Sequence, residues 1–220
     1  MKKAWEVIKG TFLDDSDYDS VLTVLEAVAQ FLMGLQKSVV HNIPVDPRRK
    51  TDVFRELNNV LEQEYVGYRF IKGRLSPITN DIEKASIEEA GTSQYKAVNQ
   101  HIDKALKLLS DRQKPDYENS IKESISAVES ECEIITGLSG ANATLGNTLK
   151  HLEDSGVIIH SALKSAFEKI YGYASDKDGI RHGGKGIELI GGKGSTFEEA
   201  KYMLVNCSAF VNYLEGCRKD

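Results

Sequence analysis

Asp178-Gly179-Ile180-Arg181-His182-Gly183-Gly184 is a short glycine-rich stretch between two amphipathic segments, and its flanks decide the fold. Before it, Ile159, Ala162, Leu163, Ala166, Phe167 and Ile170 recur at the three-to-four spacing of one helical face. After it, Ala200, Met203, Leu204, Cys207, Phe210, Val211 and Leu214 do the same. Two core helices therefore meet at a turn that carries a guanidinium beside an imidazole. Arginine is a permanent, fork-shaped cation suited to phosphate. Histidine exchanges a proton near neutral pH. Side by side they are the least equipment that acts on a phosphodiester without a metal; the alternative is that Arg181 caps a helix end and His182 packs in the turn.

Outward from this stretch the chain reads as all-α. Ser20 to Lys37 predicts a helix with Val21, Val24, Leu25, Val28, Phe31, Leu32 and Leu35 as its apolar stripe, after the acids of Asp14 to Asp19. Pro44 and Pro47 break the pattern, and Arg48-Arg49-Lys50 reads as a solvated loop. A second helix is predicted from about Thr51 to Glu64. Tyr68 to Ile78, with branched and aromatic residues around Lys72-Gly73, predicts one short two-stranded hairpin that ends at Pro77. Asp81 to Ala90 reads as a short helix.

Gly91-Thr92-Ser93 is the expected boundary, giving a helical module with a hairpin over 1–91 and a helical bundle over 92–220. In the second part the stripe Tyr95, Val98, Ile102, Ala105, Leu106 and Leu109 predicts one helix. Pro115 to Gly137 predicts a longer one, started by proline and stopped by glycine. Its stripe of Ile121, Ile125, Val128, Cys132 and Ile135 alternates fours and threes, as bundle helices do. Thr144 to Leu152 follows as a short helix. Gly183 to Ser195 repeats Gly-Gly-Lys-Gly, which predicts an exposed loop with Lys185 and Lys193 able to close over a polyanion. Ser195-Thr196-x-x-Glu199 then offers a capping box to the last helix.

Composition narrows the classes. Across 220 residues, 40% hydrophobic and 28% charged is an ordinary globular balance, and the net charge of −5 argues against a broad nucleic-acid-coating surface. No apolar run suggests a membrane span, and Met1 to Val7 lacks the apolar stretch of a signal peptide. Cys132 and Cys207 fall on apolar faces, so reduced core cysteines in a cytoplasmic protein are expected. The other histidines, His41, His101, His151 and His160, show no metal spacing, so no metal and no cofactor are expected. Gly179-x-x-x-x-Gly184-Lys185 is followed by Gly186 rather than Ser or Thr, and a helix precedes it, which speaks against a nucleotide-binding loop.

Three stretches carry a family resemblance. Ala127-Val128-Glu129-Ser130, Ser175 to Gly183 and Glu199 to Phe210 resemble the C-terminal domain of AbiJ-type abortive-infection proteins, a domain of the HEPN superfamily of helical bundles. Leu57-Asn58-x-x-Leu61 and Gly67-Tyr68-Arg69-Phe70 through Pro77-Ile78 look like the module that precedes such domains. The resemblance implies antiviral defence and, for active HEPN members, metal-independent RNase activity. In those members an arginine precedes the histidine by several residues, and a dimer joins two such pairs; here Arg181 and His182 are adjacent.

The expected catalytic set is Arg181, His182 and Glu129, the last as the residue that orients the site. Lys177, Asp178 and Lys185 are the expected substrate-binding residues. RNA as substrate, a homodimer and a neighbouring defence protein as partner are the corresponding expectations. The alternative is a catalytically inactive HEPN-like module that binds RNA, a nucleotide or a protein.

Overall fold

A computed structural model describes residues 17–39, 52–138, 142, 144–175 and 195–218. Among these residues lie eight α-helices and one two-stranded antiparallel sheet, so the fold is all-α with a hairpin. The chain divides into two compact units, Met1–Pro77 and Ile78–Asp220.

The first unit contains α1 (Tyr18–Val39), α2 (Val53–Gln63), β1 (Arg69–Ile71) and β2 (Arg74–Ser76). Asp17 starts α1 by accepting the Ser20 amide at 2.9 Å and its hydroxyl at 3.0 Å. Those bonds hold the Asp17 carboxyl below its usual range. Asp52 caps α2 in the same way, accepting from the amides of Phe54 and Arg55. At the other end of α2, Tyr65 takes a left-handed φ of 54° while the Val66 amide reaches back to the Leu61 carbonyl at 2.8 Å. A tyrosine here fills the place that glycine usually takes in such a helix stop.

The hairpin pairs Phe70 with Leu75 and Ile71 with Arg74 across the two-residue loop Lys72-Gly73, whose φ values are 49° and 78°. Both must be positive for a turn that follows the strands' twist. In this register the backbone groups of Phe70 and Leu75 point outward, where a bare edge would leave them unpaired. Asn58 on α2 satisfies both groups of Phe70, donating to its carbonyl at 2.9 Å and accepting its amide at 2.6 Å. Glu26 on α1 accepts the Leu75 amide at 3.2 Å, and Gln30 donates to the Gly73 carbonyl at 2.9 Å. The two helices thus close the edges of the smallest possible sheet. Leu22, Ala29, Leu61, Phe70 and Leu75 form the unit's buried core, with Leu25, Phe54, Leu57, Val66 and Tyr68 packed around them.

The expected stripe on α1 holds only in part: Leu25 packs on the core and Val21 and Val24 are half-buried, but the centre of the buried face lies beside the stripe. Leu22 and Ala29 are the buried positions, whereas Val28, Phe31 and Leu32 are exposed, Phe31 at 66%. Both faces of this helix are apolar, so periodicity alone does not choose between them; the bonds from Glu26 and Gln30 to the hairpin do.

The second unit is a helical bundle of α3 (Asp81–Ala90), α4 (Lys96–Leu109), α5 (Tyr117–Thr136), α6 (Leu145–Asp154), α7 (Ser161–Ser175) and α8 (Phe197–Arg218). α5 is central, packing on α4, α6, α7 and α8. Its predicted stripe is buried at Ile121, Ile125, Val128 and Cys132, but a second buried face of Ser120, Ser124, Ala127 and Glu131 lies beside it. A helix surrounded on several sides buries more than one stripe. Ser120 donates its hydroxyl to the Ala105 carbonyl at 2.9 Å, and Ser124 to the Ser120 carbonyl at 2.8 Å. Asp116, not Pro115, starts α5: its side chain accepts the Asn119 amide, which leaves the proline one residue ahead of the cap. Gly137 ends the helix at a φ of 65°. No helix among the described residues is long and apolar enough to cross a membrane.

Candidate functional site

Arg181, His182, Lys177, Asp178 and Lys185 lie outside the described residues, as does the expected exposed loop from Gly183 with its Lys193. The structure describes the helices on either side, α7 before and α8 after, and the residues that fasten them.

Two carboxylates are central to that fastening. Glu199 makes the predicted capping box: it accepts the Thr196 amide at 2.8 Å, while the Thr196 hydroxyl accepts the Glu199 amide at 3.2 Å. Glu199 also meets the hydroxyl of Tyr173 near the end of α7. Burial, then the Glu199 charge and hydrogen bond, push the Tyr173 hydroxyl above its usual pKa. The two ends of segment 176–194 are therefore linked through Tyr173 and Glu199. Glu129 on α5 accepts a hydrogen bond from the Tyr171 hydroxyl at 2.7 Å, which secures α7 from its other side. Of the expected catalytic residues, Glu129 is the one within the described residues, and it is a half-buried, bonded carboxylate rather than a solvated helix acid.

Sequence reasoning missed a further carboxylate, Glu131. It is fully buried on α5, and a carboxylate so removed from water demands a compensating partner. The available signal was its spacing: Ser120, Ser124, Ala127 and Glu131 follow one another by four, three and four. A second missed feature is His101 on α4, whose Nδ1 lies 2.6 Å from Glu123 Oε2 on α5, with the Lys104 ammonium 3.7 Å from the other oxygen. The carboxylate fixes the ring's orientation, as a positioning acid does for a histidine.

The packing below Tyr171 is apolar. Ile125, Val128, Leu145, Phe167, Ile170, Cys207 and Phe210 help line a cavity of about 20 Å³, room for a single water. Phe167 and Phe210 approach to 3.9 Å between ring centres, and Tyr213 joins them. Burial pushes the Cys132 thiol up to about 11 and the Cys207 thiol up to about 12, so both are inert core thiols. A wider groove of about 700 Å³ at Ile135, His151, Leu152, Ile158 and Cys217 lacks convergent charges among its lining residues. No group of three or more metal-ligating side chains occurs among the described residues.

Residues 1–93 match the family model of AbiJ N-terminal domain 4. No curated protein and no solved structure gives a match. The match ends two residues after the expected module boundary at 91, whereas the first compact unit ends at Pro77. Sequence kinship and packing thus assign α3 to different halves of the chain.

Proposed function

We propose that this chain is an AbiJ-type abortive-infection effector whose second unit is a HEPN-like bundle that cleaves RNA through Arg181 and His182. The observation that carries the reading is the AbiJ N-terminal match over residues 1–93, which joins a helical bundle holding the Arg-His stretch between two of its helices. In this reading His182 takes the proton of a ribose 2′-hydroxyl as general base. The 2′-oxygen attacks the adjacent phosphorus, the bond to the 5′-oxygen breaks, and the departing oxygen takes a proton from solvent water, to which the His182 imidazolium returns the one it accepted. Arg181 stabilises the charge that develops on the phosphate oxygens.

Lys177 and Lys185 supply further cationic contacts to the RNA backbone, and Asp178 shapes the turn beside them. Glu129 is a positioning residue: through Tyr171 it sets where α7 delivers the chain to the Arg-His stretch. Two copies related by a two-fold axis bring two Arg-His pairs together, which gives a symmetric cleft for a phosphate. Incubating the purified chain with total RNA in EDTA tests the activity, and light scattering at tens of micromolar tests the dimer.

The adjacency of Arg181 and His182 favours a second reading, a bundle that binds RNA, a nucleotide or a protein without cleaving it. Tight RNA binding with no cleavage product separates it from the first.

A further inference from the structure

α1 has two apolar faces, and the N-terminal unit uses one of them. Leu22 and Ala29 are buried in its core with Leu61, Phe70 and Leu75. Roughly 130° round the helix, at 3.6 residues per turn, runs a second row of Val21, Val24, Val28 and Phe31. Its steps of three, four and three are the spacing of a coiled-coil seam. Val21 and Val24 are half-buried, but Val28 and Phe31 are exposed, and so is Leu32 beside them. An apolar row left open on a helix that already has a core marks a contact surface.

The charges around the row select its occupant. From Asp17 to Gln36 the sequence has no lysine or arginine, while Asp17, Asp19 and Glu26 are acidic. Such a helix repels a nucleic-acid backbone and an anionic lipid surface alike. Coiled-coil helices choose partners through charges beside the seam. Here the flanking positions are Ser20, Ala27 and Gly34 on one side and Tyr18, Leu25 and Leu32 on the other, all uncharged. Nothing along the row therefore opposes a second copy of itself. A Cβ added at Gly34 would meet no atom of the described residues within 4 Å, which leaves room for a second helix to approach closely. The ends of α1 set the direction: Asp17 and Asp19 stand at its start and Lys37 in its last turn. A parallel pair brings acids to acids, whereas an antiparallel pair brings them toward the lysine end of the other copy and opposes the two helix dipoles.

We propose that α1 is a self-association surface: the Val21, Val24, Val28 and Phe31 row of one chain packs antiparallel on the same row of a second copy, Phe31 of each against Val28 of the other. The surface belongs to the N-terminal unit. It is separate from the two-fold pairing of the Arg-His stretch, so its test reads mass and needs no measurement of cleavage.

Light scattering of the full chain at about 50 µM tests it. Wild type should be a dimer or larger. Phe31→Glu and Val28→Lys should each halve the mass, because each sets a bare charge in an apolar contact. The double variant Val28→Lys/Phe31→Glu should return to the wild-type mass, since antiparallel packing faces every new lysine with a new glutamate. Both positions are exposed in the single chain, so circular dichroism should show wild-type helix content for all three. Phe31→Ser serves if a charged variant does not fold, with the dissociation constant raised about tenfold or more. Pairing through the bundle alone predicts an unchanged mass for every variant. That outcome, a double variant as dissociated as the single ones, or a monomeric wild type whose Phe31→Glu variant melts lower, as a face covered from within the chain requires, would each overturn the proposal.

Discussion

The Tyr171 hydroxyl donates to Glu129 Oε1 at 2.7 Å, which joins the penultimate turn of α7 to the central helix of the bundle. The bond is half-buried and its acceptor is a carboxylate, so it belongs to the stronger class of hydrogen bonds. Tyr171→Phe should lower stability by about 1–2 kcal/mol. Glu129→Gln retains an acceptor and should cost less than about 1 kcal/mol. Urea unfolding of both variants checks the order. If the nuclease reading holds, Tyr171→Phe should lower kcat more than it raises KM, because the change displaces a group rather than removing a contact to RNA.

Asn58 offers a sharper stability test in the first unit. Its amide satisfies both outward backbone groups of Phe70, and Asn58→Ala leaves a buried strand with an unpaired donor and an unpaired acceptor. The expected cost is about 2–4 kcal/mol. Asn58→Asp keeps the acceptor and loses the donor, so it should fall between alanine and wild type. Equal stability of wild type and alanine variant would mean that the edge of β1 is satisfied by other means.

Cys132 and Cys207 predict an alkaline limit. Their thiols normally titrate at 9.0 and are pushed by burial to about 11 and about 12. A folded-state pKa above the unfolded one means that the unfolded chain releases protons first, so this stability is fully present below about pH 9 and is lost as pH rises toward 11 and 12. Each thiol should contribute a slope of about 1.4 kcal/mol per pH unit in that window. Chemical denaturation between pH 8 and pH 11 checks it against a Cys132→Ala/Cys207→Ala variant, whose slope should be shallower. At neutral pH a thiol reagent should modify Cys217 in the folded protein and the other two only after unfolding.

Periodicity made most of this architecture legible. The hairpin was readable because Lys72-Gly73 sits between alternating branched and aromatic residues, and the two positive φ values are what that pair supplies. Gly137 and the Thr196–Glu199 box were readable because capping chemistry is local. The failures are tertiary. The burial of α1 depends on which side chains reach the hairpin edges, and Val28 and Phe31 are as apolar as Leu22 and Ala29. Glu131 is buried because α5 is enclosed by four helices, a fact outside any window of its own sequence. Within the site, the sequence singled out Glu129 but not its partner Tyr171, 42 residues away.

The most direct measurement of the central claim is RNA cleavage by the purified full chain in EDTA, with His182→Ala and Arg181→Ala alongside and RNA affinity measured on the same samples. Wild type should cleave. His182→Ala should lose at least about a hundredfold in rate with little change in affinity, because a general base acts in the transition state. Arg181→Ala should lower both rate and affinity if, as proposed, its guanidinium holds the phosphate before and during reaction. Intact RNA with the wild-type chain, or a His182→Ala variant that cleaves at the wild-type rate, would contradict the account.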